Sequence, residues 1–157
     1  MEPAAPARSI LVLCEGNHCR SPMAAGLLGQ LLGPGHRVES AGLAAQEGCP
    51  PHPAAVRLMA ARGIDIAGHA GRTVTPAMAL AADLILVMDS AQKDWCERLV
   101  PSAKGRVFLL GHWQSPAPVE VADPFGQSAE SFLAAFEAIQ HCVSGWLPHL
   151  SPERRSA

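Results

Sequence analysis

SILVLCEGNHCRSPMAAGLL, residues 9–28, combines an apolar run, a short polar loop and a second apolar segment. The run at 9–13 predicts a strand buried on both faces, and residues 21–32 predict a helix. The loop between them carries a thiol at Cys14 and a guanidinium at Arg20. A helix N-terminus binds anions and stabilises a thiolate, and arginine holds an oxyanion with two hydrogen bonds. This order of features suggests covalent phosphoryl transfer.

Strand and helix patterns alternate along the remaining chain. Further strands are predicted at 37–41, 83–88 and 106–110, and further helices at 54–62, 75–81, 90–99 and 128–147. Repeated strand–helix units with apolar strands predict an α/β fold of flavodoxin-like type, with a four-stranded parallel sheet and helices on both faces. The phosphate loop would then lie between strand 1 and helix 1, at the carboxyl edge of the sheet. We expect one domain at 9–150, a disordered lead-in at 1–8 and a flexible tail at 151–157.

Composition excludes several classes of partner. The chain has 157 residues and a formal net charge of -2, which disfavours a nucleic-acid binder. It lacks the roughly 18 consecutive apolar residues of a membrane span, and its N-terminus does not resemble a secretory signal. We therefore expect a cytoplasmic protein that binds neither nucleic acid nor membrane.

The five cysteines, Cys14, Cys19, Cys49, Cys96 and Cys142, form no disulfide framework. Their odd number and wide scatter fit a reducing compartment. Cys14, His18 and Cys19 lie close together, but no second cluster supplies the remaining ligands of a zinc site. We expect neither a metal nor a cofactor.

Several motifs accompany the Cys14–Arg20 loop. They are Ser40-Ala41-Gly42, Gly63-Ile64-Asp65 with Gly68-His69, DLILVMD at 83–89, and Asp123-Pro124-Phe125. Together with CEGNHCRSPMA at 14–24, this pattern resembles the low-molecular-weight protein tyrosine phosphatase family from Ile10 to about Trp146. Gly111-His112-Trp113 further resembles its bacterial branch, which acts on exopolysaccharide-export tyrosine kinases.

The resemblance implies three catalytic residues. Cys14 would be the nucleophile that forms a phosphocysteine, Arg20 would hold the phosphate oxygens, and Asp123 would be the general acid. Taken alone, Cys14 also fits a small buried hydrophobe and Asp123-Pro124 also fits a turn. The loop residues expected to bind phosphate are Glu15, Gly16, Asn17, His18, Cys19 and Arg20, with Gly16 permitting a positive φ.

The resemblance also implies supporting roles around the loop. Asn17, Ser21, Ser40 and His69 would form a hydrogen-bonded network that holds it. Cys19 would be a redox residue that can form a disulfide with Cys14, although simple packing explains it equally well.

The walls of the substrate pocket are expected at Leu43 and Phe125. A deep, partly apolar slot would favour phosphotyrosine over phosphoserine by analogy with the family. The chain has no tyrosine, so phosphorylation of tyrosines in the Asp123 loop is excluded. The implied partner is a phosphotyrosine protein, such as a tyrosine autokinase, and phosphate-like oxyanions would inhibit.

Two other functions fit the same loop. An arsenate reductase on this fold would need further cysteines close together, whereas Cys96 and Cys142 stand alone in predicted helices. A non-catalytic phosphotyrosine-binding module would not need an acid at Asp123. The leading prediction is a cysteine-dependent tyrosine phosphatase.

Overall fold

The computed structural model describes residues 8–150 and contains a four-stranded parallel sheet. The strands are β1 (Ser9–Cys14), β2 (Arg37–Gly42), β3 (Leu84–Val87) and β4 (Val107–Leu109). The helices of this part of the chain are α1 (Arg20–Leu32), α2 (Pro53–Ala60), α3 (Pro76–Ala81), α4 (Ser90–Leu99) and α5 (Ala129–Leu150), with a short 3-10 helix at Pro101–Ala103. The predicted α/β class is confirmed. The predicted tail, and the predicted lead-in apart from Arg8, lie outside the described residues.

Two apolar layers cover the sheet, one on each face. Alternate residues of the strands point to opposite faces. One layer joins β1 and β3 to α1, α2 and α5, through residues such as Ile10, Val12, Leu86, Leu28 and Phe136. The other layer joins the opposite faces of the same strands to α3 and α4, through Leu11, Leu13, Ile85, Ala79 and Cys96. Helices therefore lie on both faces, as predicted.

The helix boundaries follow local capping signals. The side chain of Thr75 accepts a hydrogen bond from the N–H of Met78 and begins α3, and Asp89 caps α4 in the same way. The predicted end of α5 at residue 147 is three residues short, because proline usually ends a helix. In the structure α5 continues through Pro148, and buried Leu150 docks its last turn on the core.

The strand order β2-β1-β3-β4 determines where a ligand can bind. The chain leaves β1 toward β2 on one side and later returns to β3 on the other, which opens a crevice at the carboxyl end of β1. Cys14 occupies this end and pairs in register with Gly42 of β2. A Cβ atom at Gly42 would lie only 2.8 Å from the carbonyl oxygen of Glu15, so glycine is required there. None of the helices within residues 8–150 is long and apolar enough to cross a membrane.

Candidate active site

The backbone of the Cys14–Arg20 loop is arranged to receive an anion. The carbonyl oxygen of Glu15 accepts from the N–H of Ala44 at 2.9 Å, and that of His18 accepts from the N–H of His52 at 2.9 Å. Within residues 8–150, by contrast, the N–H groups of residues 15–19 find no acceptor. Carbonyls bonded to the surrounding protein and unpaired N–H groups make a concave site for a negatively charged group.

Asn17 determines the course of this loop. Its φ is 52°, and it is the only residue other than glycine with a positive φ among residues 8–150. The expectation that Gly16 would supply the positive φ is therefore wrong. Asparagine tolerates the left-handed region because its short amide can form local hydrogen bonds. Gly16 would adopt a positive φ at no steric cost, but the left-handed conformation is found at Asn17, whose amide is held by neighbouring groups.

The amide of Asn17 is fully buried and fully paired. Its Nδ2 donates to Ser21 Oγ at 2.8 Å and to Ser40 Oγ at 3.0 Å, and its Oδ1 accepts from the N–H of Arg72 at 3.1 Å. Because buried polar groups that lose a partner are costly, this set holds the loop in one conformation. Three of the predicted supporting residues therefore lie in direct contact.

The sulfur of Cys14 lies at the base of the loop beside the first turn of α1. Ser21 Oγ is 3.0 Å from Cys14 Sγ, and the N–H of Ser21 donates to the same sulfur at 3.4 Å. Ser21 Oγ accepts from Asn17, and its own proton can go to the sulfur or to the carbonyl oxygen of Ala41, which lies 3.5 Å away. The first turn of α1 thus places the N–H and the hydroxyl of Ser21 within hydrogen-bonding distance of the sulfur.

His69 and Arg72 support the loop from behind. His69 Nε2 donates to the carbonyl oxygen of Asn17 at 3.2 Å, and burial lowers the pKa of His69, with smaller contributions from Arg72 and His18. Arg72 Nε donates to the carbonyl oxygen of Ser40 at 3.0 Å. Arg72 also pairs with Glu39, and the hydrogen bond from Arg72 lowers the pKa of that carboxyl. His69 is therefore a neutral donor at neutral pH.

Arg20 joins the loop to the segment that contains Asp123. Its side chain is buried, with Nη1 donating to the carbonyl oxygen of Val121 at 2.8 Å and Nη2 lying 3.7 Å from Asp123 Oδ2. The Nε atom is buried and has no hydrogen-bond partner among the described residues. An unpaired buried donor in a cleft is suited to bind an oxyanion.

Cys19 is a buried residue of the loop that lines the cleft near Asp123. Burial raises its pKa to about 12, with further contributions from Cys14 and Asp123. Its Sγ lies 3.9 Å from Asp123 Oδ1. Cys19 is therefore a protonated thiol, and its redox role stays a prediction.

A cleft of about 260 Å³ opens above the loop. Its wall includes His18 and Phe125, whose ring centroids are 5.5 Å apart. The predicted wall residue Leu43 does not line it and instead packs against the apolar layer that contains α3 and α4. Ala44 and Gln46 occupy the expected position. The full lining consists of Cys14, Glu15, Gly16, His18, Cys19, Arg20, Ala44, Gln46, Cys49, Asp123 and Phe125.

The cleft therefore brings a thiol, a guanidinium and a carboxylate to one face of an anion-binding loop. No group of three potential metal ligands occurs within the part of the chain that the structure describes. A thiol, a guanidinium and a carboxyl group that line one anion-binding cleft are the set of groups that a cysteine-dependent phosphatase uses.

Comparison with known proteins gives the family. Residues 9–156 match the model of the low molecular weight phosphotyrosine protein phosphatase family. The chain is 45% identical over 143 residues to a probable low molecular weight protein-tyrosine-phosphatase EpsP of Ralstonia nicotianae, covering 91% of this chain and 96% of that protein. The chain belongs to the low molecular weight protein-tyrosine-phosphatase family.

Two solved structures show how broad the similarity is. Vibrio vulnificus Wzb in complex with benzylphosphonate superposes with a TM-score of 0.86 at 33% identity, covering 91% of this chain and 99% of that one. The YwlE arginine phosphatase of Geobacillus stearothermophilus superposes with a TM-score of 0.87 at 34% identity, covering 95% and 96%. The fold is therefore shared by a protein that binds benzylphosphonate and by a protein named an arginine phosphatase.

Sequence reasoning missed several residues of the site. Arg72, Ala44, Gln46, Cys49 and His52 all contact the loop or the cleft, yet no motif marks them. Most of them lie in the connection between β2 and α2, which folds back over the carboxyl edge of the sheet. Their proximity depends on that path and not on local spacing. The stretch CPPHP at 49–53 is typical of a stiff loop and by itself predicts no contact with the cleft.

Proposed function

We propose that this protein hydrolyses phosphotyrosine in a protein substrate through a phosphocysteine intermediate. The observation that carries the proposal is the environment of Cys14 Sγ, which has the N–H and the hydroxyl of Ser21 within hydrogen-bonding distance at the base of a loop of unpaired N–H groups. A binding site for phosphate needs the N–H groups, but only a nucleophile needs a stabilised sulfur.

In the first step Cys14, as a thiolate, attacks phosphorus from the side opposite the phenolic oxygen. An S–P bond forms, the P–O bond to the tyrosine ring breaks, and Asp123 transfers its proton to the departing oxygen. The loop N–H groups and Arg20 bind the three other oxygens, where charge is concentrated in the transition state. The products are tyrosine and phosphocysteine.

In the second step water attacks the phosphorus of phosphocysteine. Asp123, now a carboxylate, takes a proton from this water while the S–P bond breaks. The thiolate leaves with the electron pair and is stabilised by the hydroxyl and the N–H of Ser21. The reaction releases inorganic phosphate and returns each group to its starting state, so phosphate-like oxyanions are expected to compete with substrate.

We propose a tyrosine autokinase of exopolysaccharide export as the physiological substrate. The support is the resemblance of Gly111-His112-Trp113 to the branch that acts on such kinases.

The mechanism needs Cys14 as a free thiol, and all five cysteines are unpaired. A reducing compartment such as the cytoplasm fits both requirements.

A second substrate class is favoured by one specific observation. The similarity to the YwlE arginine phosphatase is as high in TM-score as that to Wzb, so phosphoarginine is the alternative to phosphotyrosine. Arsenate reduction has less support. Cys96 and Cys142 are buried in α4 and α5, and burial raises the pKa of both thiols, that of Cys142 to about 11.

The test is a substrate panel with the purified protein and its Cys14→Ser variant. We expect phosphate release from p-nitrophenyl phosphate and from a phosphotyrosine peptide, and a loss of at least about 10,000-fold in kcat for Cys14→Ser. Cys96→Ser is the matched control, since it changes a thiol outside the cleft, and it should retain activity.

Each other outcome gives a clear answer. Phosphate release from a phosphoarginine peptide alone would mean that the substrate is phosphoarginine and would leave the mechanism unchanged. Thiol-dependent reduction of arsenate without phosphate release would give the reductase. Full activity of Cys14→Ser would overturn the mechanism, and tight binding of phosphotyrosine without turnover would indicate a binding module.

A further inference from the structure

A column of four rings connects the cleft to α5. Phe132 of α5 is buried, and His52 stacks on it with ring centroids 4.4 Å apart and planes inclined by 30°. His52 also contacts His18 and Phe125 in T-shaped arrangements, at centroid distances of 5.5 and 6.3 Å. Such contacts between rings stabilise the folded state by more than the burial of their apolar area alone. His52 is thus the link between a core residue and the two rings of the cleft wall.

The orientation of the His52 ring is set by the backbone of α2. His52 is the N-cap residue of this helix, and its Nδ1 accepts from the N–H of Ala54 at 3.0 Å. With Nδ1 as acceptor, the proton of the neutral ring lies on Nε2. Burial lowers the pKa of His52, with smaller contributions from His18 and Arg57, so the ring is uncharged at neutral pH. One residue therefore caps a helix and supplies an oriented apolar surface.

The wall that His52 supports has few other contacts. Phe125 is 61% exposed, and its N–H donates to Asp123 Oδ1 at 3.0 Å within the same turn. His18 contacts Phe125 and His52 by its ring and lies 3.7 Å from Cys49 Sγ through Nδ1. Without the ring of His52, Phe125 would keep only its edge contact with His18 among these rings. The position of the wall thus depends on a residue that does not itself line the cleft.

We infer that His52 is a positioning residue for substrate specificity, holding His18 and Phe125 as the wall that receives the aromatic part of a phosphomonoester. This inference rests on the proposed function, because it concerns the aryl group that carries the phosphate. The phosphate itself would be held by the loop N–H groups and Arg20, whereas His52 reaches the loop through its backbone N–H, which donates to the carbonyl oxygen of His18, and through the contact of its ring with the His18 ring. The His52 ring should therefore affect binding of the aryl group and leave binding of the anion unchanged.

Two substitutions separate the two properties of His52. His52→Asn keeps an N-cap acceptor and removes the ring, whereas His52→Phe keeps a ring and removes the acceptor. We expect His52→Asn to raise KM for p-nitrophenyl phosphate and a phosphotyrosine peptide by about three- to tenfold. Its kcat, its inhibition constant for inorganic phosphate and its melting temperature should stay near those of the wild type.

The rescue variant should show the opposite pattern. His52→Phe should restore KM to near the wild-type value while its melting temperature falls, because α2 loses its cap. In a Phe125→Ala background, His52→Asn should raise KM by a smaller factor than it does alone, since both act on one wall.

Three results would overturn the inference. KM for both aryl substrates could be unchanged in His52→Asn, or the inhibition constant for inorganic phosphate could rise with KM, which would mean a distorted loop. Failure of His52→Phe to restore KM, with a folded protein by circular dichroism, would also reject it. A wild-type protein that releases no phosphate from either aryl substrate would instead contradict the proposed function.

Discussion

The two halves of the cleft differ in how firmly they are held. In the phosphate loop, Asn17 is fully buried, Arg20 is 3% exposed, and every polar atom of the Asn17 amide has a partner. In the segment on the other side, the side chain of Asp123 is 46% exposed and Phe125 is 61% exposed. The loop is built into the sheet, whereas Asp123, the proposed general acid, lies on a surface turn.

This difference matches the two kinds of chemistry that we propose for the two halves. An oxyanion is stabilised by donors whose positions are already set, because no energy is then spent on reorienting them. The acid and the aromatic wall must admit a tyrosine on a protein surface, which requires an accessible opening. Arg20 is the direct bridge, since it contacts Val121 and Asp123 from within the phosphate loop.

Removing the bridge should have the largest effect on activity among the variants considered below. Arg20→Lys keeps the charge but loses the planar pair of donors, so we expect kcat/KM for a phosphotyrosine peptide to fall by about 1,000-fold. The measurement is steady-state kinetics. Arg98→Lys, at an exposed position of α4, is the matched control and should be unchanged. Similar losses of kcat/KM in both variants would show that the planar pair of donors of Arg20 is not required.

Removing the acid should have a smaller effect that depends on the leaving group. Asp123→Asn cannot protonate the departing oxygen, so we expect kcat for a phosphotyrosine peptide to fall by about 100-fold. The loss should be smaller for p-nitrophenyl phosphate, because p-nitrophenolate leaves without a proton more readily than the phenolate of tyrosine. Melting temperature should change little, since the carboxyl is half exposed.

The control for this substitution is Asp94→Asn on the exposed face of α4. It removes one carboxylate and changes the net charge by the same amount as Asp123→Asn, and it should leave kcat for both substrates unchanged. Equal losses on the two substrates would argue against Asp123 as the proton donor, because a general acid matters most for the poorer leaving group.

Substitutions of Asn17 in the rigid phosphate loop should lower the free energy of unfolding. Asn17→Ala loses the amide hydrogen bonds and places a Cβ-bearing residue without an amide at a φ of 52°, whereas Asn17→Gly loses the same bonds without the backbone cost. We expect Asn17→Ala to be less stable than Asn17→Gly by about 1 kcal/mol in the free energy of unfolding. Urea denaturation measures both. Equal stabilities would mean that the left-handed conformation carries no strain.

The sequence was sufficient to predict those site residues that lie close together along the chain. Cys14, Arg20 and Ser21 follow one another through a strand end, a loop and a helix start, so their proximity is a consequence of local structure. Leu43 shows the limit of this reasoning: it follows β2 directly, but the pleat turns its side chain toward the layer with α3 and α4. Adjacent Ala44 lines the cleft instead, since successive side chains point to opposite sides.

The long-range partners could not be predicted for a different reason. Arg72 reaches Asn17 through its backbone N–H, a contact that does not depend on the identity of its side chain. His52 caps α2 in a position where aspartate or serine is the usual signal, so its ring gave no indication of a role at the cleft. Both contacts result from the path of the connection between β2 and α3.

The smallest expected effect is a pH dependence of stability that arises behind the rigid loop. Burial lowers the pKa of His69 in the folded state below the value of about 6.5 for an unfolded chain. Between those two pKa values the unfolded state binds more protons, so the free energy of unfolding falls as pH drops through this window. His69→Gln should flatten the slope between pH 7.5 and pH 5 in urea denaturation, whereas His141→Gln, on the exposed face of α5, should preserve it. An unchanged slope in His69→Gln would mean that this histidine is not buried in its neutral form, and the support behind Asn17 would be weaker than the contacts indicate.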